Sequence, residues 1–156
     1  MKAIHWITTA AALAFVQTAP SSAAGGRDTE VLIYRFPGVL TGFHAARNAT
    51  VFHCTNFSGE TETIRFVTRD ENGNLLQNDT LSINHLGTRT AVTRDIVAYA
   101  INLNLATGSL RQGTTAIAAT STNIICTAMT IEALVHNPIG VALRGIRFNP
   151  APGSQE

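Results

Sequence analysis

The sequence predicts an all-β fold, and three features of the chain support this prediction. Apolar residues recur at every second position in short segments, as in TETIRFVTRD at 61–70. Turn-forming residues separate these segments, among them DENGN at 70–74, whose Asn-Gly pair favours a tight hairpin turn. No long segment has apolar residues at the 3.6-residue period of a helix. Strands joined by short turns are typical of antiparallel sheets.

Each predicted strand has its own local signal. Val31 begins the first, and Pro37 with Gly38 indicates an edge or a bend shortly after it. In the third, Ile64 and Phe66 share one face. The predicted strands are 31–34, 50–56, 63–68, 80–85, 88–93, 97–105, 114–120, 123–131 and 141–148.

The segment IVAYAINLNL gives the clearest alternation. Its apolar residues fall at strict period 2, at Val97, Tyr99, Ile101, Leu103 and Leu105. A helix would need a period of 3.6, so the pattern predicts a strand with one buried face. A short helix is the alternative, because alanine and leucine are good helix formers.

These segments predict an antiparallel immunoglobulin-like β-sandwich of about eight strands, with a closed barrel as the alternative. There is no repeat at a fixed period, which excludes propellers and solenoids. The final residues, NPAPGSQE at 149–156, predict a frayed tail.

The N-terminus is typical of a secretory signal peptide at 1–24. Lys2 supplies a positive charge, an apolar stretch runs from Ile4 to Val16, and small residues precede a predicted cleavage after Ala24. The apolar run is shorter than the roughly 20 residues that a membrane span needs. The prediction is one exported domain at 25–156, periplasmic or extracellular, with no membrane span; a buried N-terminal helix is the alternative.

Loss of the signal peptide would leave a formally neutral chain. Lys2 is the only lysine, and the ten arginines that remain balance ten acidic residues. A neutral chain without a basic run offers no electrostatic attraction to nucleic acid or to an anionic membrane. We therefore expect neither as a partner.

The chain has two cysteines, Cys54 and Cys126. In an exported chain two cysteines most simply form one disulfide. Alternation puts Cys54 on the face of Phe52 and Cys126 on the face of Ile124. The pattern therefore predicts that both cysteines point into the core, where a bridge could tie one sheet to the other. A metal-bound thiolate and free thiols are the alternatives.

The pattern departs from antibody-type domains in two respects. The predicted mature chain has no tryptophan to pack against the bridge, and Ile124 stands where a tyrosine corner would be.

The sequence shows no metal-binding spacing. His53 adjoins Cys54, so the two side chains of a strand would face opposite sides, and Met129 is likewise out of phase with Cys126. The other histidines of the predicted mature chain also lack a ligand pattern; they are His44, His85 and His136. We expect no metal and no cofactor, although convergence of the histidines in space stays open.

The sequence also shows no catalytic constellation. It lacks a G-x-S-x-G motif, and Ser58-Gly59 has no identifiable base. The Asp70 segment resembles a calcium loop only superficially, and a hairpin turn explains it better. Sequons at Asn48, Asn56 and Asn78 are expected by chance in a chain rich in Asn and Thr.

Four stretches carry a family resemblance. HCTNFSGE, GNLLQNDT, GSL followed by ATSTNIICTAM, and IRFNPAPGSQE resemble a family of small exported bacterial proteins of unknown function. The resemblance spans most of the predicted mature chain. It implies a secreted or periplasmic β-sandwich with paired cysteines, and it implies no activity.

These observations favour a non-enzymatic binding or structural module of the bacterial envelope, whose partner is a protein or a glycan. A fimbrial subunit completed by a donated strand is one alternative. A metal-binding protein that uses converging histidines is the other.

Overall fold

The computed structural model describes residues 29–42 and 47–148. The predicted signal peptide, the tail at 149–156 and His44 lie outside these residues. The described part is all-β, as predicted, and no helix in it could cross a membrane. Its ten strands are β1 (Val31–Thr41), β2 (Asn48–Asn56), β3 (Glu62–Asp70), β4 (Leu75–Ile83), β5 (Thr88–Val92), β6 (Leu103–Asn104), β7 (Leu110–Ala119), β8 (Ile124–Glu132), β9 (Val141–Leu143) and β10 (Ile146–Arg147).

All ten strands belong to one sheet. The main path runs β4-β3-β7-β1-β2-β5-β6, while β8 pairs with β2 and β9, and β10 pairs with β1. Neighbours are antiparallel except β5 and β6, which run parallel, with Ala91 opposite Leu103. The strands therefore form a mixed, nearly closed, barrel-like sheet.

The predicted antiparallel immunoglobulin-like sandwich is thus wrong. Strand β1 pairs with β7 along its length, and at its end Thr41 lies opposite Ala49 of β2. Three register shifts interrupt the β1–β7 pairing, and Gly38 has a φ of 78°. Bulges bend and twist a strand, which lets β1 continue from one part of the sheet into the next. A single curling sheet results where two separate layers were expected.

The interior of the sheet holds the larger hydrophobic core. The ring of Phe52 in β2 lies between Phe36 of β1, at a centroid distance of 5.7 Å, and Phe66 of β3, at 5.8 Å. All three side chains are fully buried. The predicted inward face of Ile64 and Phe66 is therefore confirmed.

A smaller apolar cluster covers the opposite face of β2. Val51 points away from the interior and packs in a cluster of buried residues that also contains Val92 and Ile131. Ile96, from the chain that follows β5, is part of the same cluster. Strand β2 is therefore covered on both faces, which explains its almost uninterrupted burial.

The strand predicted at 97–105 is wrong, apart from the two residues of β6. The amide of Val97 donates to the carbonyl of Ala133 at 2.9 Å, and Tyr99 contacts β2 from outside. The segment forms an irregular cover over the outer face of the sheet, where Val97 is 43% and Tyr99 39% exposed. The alternating positions do not share one environment, because Leu103 and Leu105 pack with the interior core whereas Ile101 packs with the smaller cluster outside β2.

The hairpin turn predicted at 70–74 is confirmed. Asp70 and Asn74 close the β3–β4 connection through an amide-to-carbonyl bond of 3.0 Å, and Gly73 has a φ of 84°. Glycine adopts this left-handed conformation without steric penalty. Strand β4 starts directly after the turn at Leu75, five residues before the predicted start at Thr80.

Candidate functional site

The structure brings Cys54 and Cys126 together in the interior. They are directly opposed on β2 and β8, with 4.1 Å between their Cα atoms and 2.13 Å between their sulfur atoms. Both are buried. The expected link between two packed sheets is wrong, because β2 and β8 are hydrogen-bonded neighbours in one sheet. The pair cross-links adjacent strands and is not part of a polar site.

His53 lies on the outer face of β2, opposite in direction to Cys54. Its Nδ1 is 3.1 Å from Oγ1 of Thr90, and Tyr99 packs edge-on against the ring at 4.8 Å. The hydroxyl of Tyr99 donates to Sδ of Met129 at 3.8 Å. This cover partly buries the imidazole and lowers its pKa, because burial disfavours the charged form. The contacts account for His53 as a packed side chain.

Of the other histidines, the structure describes His85 and His136, and neither belongs to a group of side chains that could hold a metal. Nδ1 of His85 accepts a hydrogen bond from the amide of Gly59 at 3.0 Å, and His136 is exposed. The hydroxyl of Ser58 donates to the carbonyl of Glu60 at 3.2 Å, so its described bond is to the backbone and not to a base. Within residues 29–42 and 47–148, no group of three His, Cys, Asp or Glu side chains could hold a metal ion.

The carboxylate of Asp70 is occupied by its own turn. Oδ1 accepts from the amides of Asn72 at 2.9 Å and Asn74 at 2.8 Å, and Oδ2 accepts from the Asn74 side chain at 2.9 Å. The side-chain bond from Asn74 is the largest cause of a lowered pKa at Asp70. The segment is organised as a turn, in agreement with the prediction.

One of the three sequons is closed to modification in the folded chain. Asn56 is fully buried, and its Nδ2 donates to the carbonyls of Glu60 at 2.6 Å and Ile83 at 3.0 Å. Its Oδ1 accepts from the amide of Ser58 at 2.8 Å. Asn56 therefore ties the β2–β3 loop and the last residue of β4 to the end of β2.

A cleft opens at the end of the sheet where β1 ends and β2 begins; we call it the polar cleft after the side chains on its rim, although most of its exposed lining surface is apolar. Its volume is about 480 Å³. Three stretches line it: the end of β1, the residues after β5, and the end of β6 with the loop that follows it. The lining residues are Thr41, Gly42, Thr93, Arg94, Asp95, Asn104, Ala106, Gly108 and Ser109.

Buried threonines form a fixed floor beneath this cleft. The hydroxyls of Thr41 and Thr107 are 2.7 Å apart, and Thr107 also donates to the carbonyl of Thr93 at 3.2 Å. Oγ1 of Thr93 donates to the carbonyl of Leu40 at 3.1 Å and accepts from the amide of Thr50 at 2.9 Å. Because these groups are at least nine-tenths buried and mutually bonded, the floor is rigid.

Three of the polar side chains on the rim of the cleft differ in character. Asn104 donates from Nδ2 to Oδ1 of Asp95 at 2.7 Å, and its own Oδ1 accepts from the amide of Ala106 at 2.8 Å. Nη1 of Arg94 donates to the carbonyl of Gly42 at 3.4 Å, a long bond. Ala106 has a φ of 45°, a conformation rare for a residue with a side chain.

Sequence reasoning missed this cleft. Thr41, Thr93 and Thr107 are far apart in the chain and belong to no motif. The only local signal is the polar stretch that interrupts the alternation after Leu105. It predicts a loop and not a site.

Comparisons with known proteins add little. No protein-family model matches the chain, and no curated protein matches it. The chain is similar to the crystal structure of Thermotoga maritima 1070, with a TM-score of 0.49 and 10% sequence identity over 74% of this chain and 90% of that chain. A likeness at this level carries no argument. The resemblance to small exported bacterial proteins therefore stays a prediction.

Proposed function

We propose that this chain is a non-enzymatic, exported bacterial binding module that holds a neutral, hydroxyl-rich ligand such as a glycan in the polar cleft. The cleft itself carries the proposal, because it sets polar side chains over a rigid floor of buried hydroxyls. Binding sites are commonly concave regions with a few fixed polar groups.

The chemistry of the rim supports a ligand that both donates and accepts hydrogen bonds. Arg94 can only donate, the ionised carboxylate of Asp95 can only accept, and the amide of Asn104 can do both. One positive and one negative charge give no preference for a charged ligand. A sugar hydroxyl can bond to any of the three groups.

Two observations support export. The N-terminal sequence has the layout of a signal peptide. The buried cysteine pair lies at disulfide distance, and disulfides persist in oxidising compartments. The bacterial source rests on the family resemblance alone.

A fimbrial subunit has less support. Such a subunit would have an incomplete sheet with a detachable N-terminal strand. Here β1 pairs with β7 on one edge and with β10 and β2 on the other. The first described strand is therefore enclosed by its neighbours.

The test is a glycan array probed with the mature protein, followed by calorimetry on any glycan that binds. Asn104→Ala and Asp95→Ala should each weaken binding by about tenfold or more, since each removes hydrogen-bonding groups. Asn123→Ala and Glu60→Gln are matched controls, because they change exposed residues beside the opposite end of β2. An array without any bound glycan, or equal binding by all four variants, contradicts the proposal.

A further inference from the structure

A second cavity, of about 620 Å³, lies at the corner between β9 and β10. Strand β9 pairs with β8, whereas β10 pairs with β1, so the short connection between them crosses from one part of the sheet to another. The lining residues are Pro37, Arg144, Gly145, Ile146 and Arg147. The polar cleft shares none of these residues.

The backbone at this corner lies directly against the core. A Cβ atom on Gly145 would be 2.3 Å from Cε1 of Phe36, far inside contact distance. Phe36 is only 1% exposed and is packed among other rings, so it has no room to withdraw. The corner is therefore held in place between the two arginines that flank it in sequence, Arg144 and Arg147.

Arg147 is held by two contacts of its guanidinium group. The guanidinium carbon lies 5.7 Å from the centroid of the Tyr34 ring, a cation–π geometry. Nη2 donates to the carbonyl of Thr122 at 3.0 Å. Tyr34 is itself buried and stacks on Phe36 at 5.7 Å. These contacts position the arginine without engaging a carboxylate.

The charge at the corner has one sign. Two of the five lining residues are arginines and none is acidic, although the predicted mature chain has equal numbers of both. Guanidinium groups only donate hydrogen bonds, and their planar fork matches the oxygens of a carboxylate or a phosphate. Pro37 and Ile146 add an apolar wall beside them.

We propose that this corner is an anion-binding site for the carboxylate or phosphate group of a small ligand. Arg147 supplies a pre-positioned donor group, and Arg144 closes on the same oxyanion from the other side of Gly145. The site is separate from the polar cleft, so it stands or falls independently of the function proposed there.

Three sugars that share one ring test the chemistry. Glucuronate carries a carboxylate, glucose 6-phosphate carries a phosphate, and glucose carries neither. We expect at least one of the two anions to shift the amide resonances of Gly145 and Ile146 in a ¹H–¹⁵N spectrum, and glucose to leave them unchanged. Binding of one anion only identifies which oxyanion the site prefers. Equal shifts with glucose overturn the proposal. So does the absence of shifts with either anion at about 10 mM, a concentration that would mostly occupy a site of millimolar affinity.

Variants then assign the binding to the arginines. Arg144→Gln and Arg147→Gln should each weaken anion binding by about tenfold, because a charged hydrogen bond is lost. Arg69→Gln, beside the β3–β4 turn, is the matched control and should bind as the unaltered protein does. Arg147→Gln also loses its contact with Tyr34, so Arg144→Gln, at an exposed residue, keeps the test independent of folding. Unchanged binding in Arg144→Gln and Arg147→Gln contradicts the assignment.

Discussion

Cys54 and Cys126 face each other across two adjacent strands, in register within the β2–β8 ladder. Backbone pairing therefore aligns the two residues before any bond between their sulfur atoms is considered. Their side chains sit in the interior core, with Cys54 at 0% and Cys126 at 5% exposure. The position accounts for a structural role and offers no access for a substrate.

Replacing either cysteine should destabilise the protein. Cys54→Ser and Cys126→Ser each remove the same cross-link, whose two ends are 72 residues apart in the sequence. In the chain-entropy model, such a cross-link destabilises the unfolded chain by about 4 kcal/mol. We expect similar losses in the free energy of unfolding, measured by urea denaturation. Thiol counting on the unfolded, non-reduced protein is the direct check. Two free thiols per chain would show that the bond is absent.

His53 should make stability fall in mild acid. Burial lowers its folded-state pKa below the unfolded value of about 6.5. The unfolded chain therefore binds the proton more readily than the folded chain does. The contribution of His53 to stability is fully present above the unfolded-state pKa and is lost as the pH falls from there through the folded-state pKa. His53→Gln should reduce this decline between about pH 7 and pH 5.

The control for His53 is His136→Gln, a change at an exposed histidine. Urea denaturation at a series of pH values compares both variants with the unaltered protein. The same pH profile in His53→Gln as in the unaltered protein would contradict the prediction.

Asn56 should matter for stability more than an exposed asparagine does. Asn56→Ala leaves the carbonyls of Glu60 and Ile83 without this donor and should cost about 1–3 kcal/mol. Asn56→Asp should also destabilise, because an ionised carboxylate cannot donate to a carbonyl. Thermal and urea unfolding measure both, with Asn123→Ala as the exposed control. Equal unfolding midpoints for Asn56→Ala and the control would refute this account.

Gly145→Ala should lower stability by about 1–3 kcal/mol, as overpacking does. The added methyl group would overlap the Phe36 ring, so the cost should shrink when Phe36→Leu provides space. A double-mutant cycle by urea denaturation measures this coupling. Additive effects of the two substitutions would show that the clash with Phe36 is not the cause.

Local patterns predicted some parts of the structure well. The DENGN turn and the alternation of Ile64 and Phe66 depend on neighbouring residues only, and both are confirmed. The segment after Ile96 shows the limit of such reasoning. Its alternation satisfies a strand pattern, yet within it only Leu103 and Asn104 join the ladder, while Ala98 and Ile101 pack on the outer face of β2. A period-2 pattern indicates an extended chain but not the partners that an irregular segment will pack against.

The architecture and the cleft could not be predicted, because both depend on contacts between distant residues. Nothing in the sequence near Thr41 indicates that it lies opposite Ala49 and so joins β1 to β2. The threonine floor likewise joins residues whose separation in the chain reaches 66 positions. The arginine corner is an exception in part, since Arg144 and Arg147 are close in sequence, but Tyr34 of β1, which Arg147 contacts, is distant from both.

The central place of β1 has a consequence for how the chain folds. The first described strand must wait for β7, which begins at Leu110, and for β10, which ends at Arg147, before its edges are paired. Such high contact order favours slow folding, because distant segments must meet before their contacts stabilise them. A chain made from its N-terminus would thus stay open until almost all of it is available. That delay would suit a polypeptide that has to be threaded through a secretion channel before it folds.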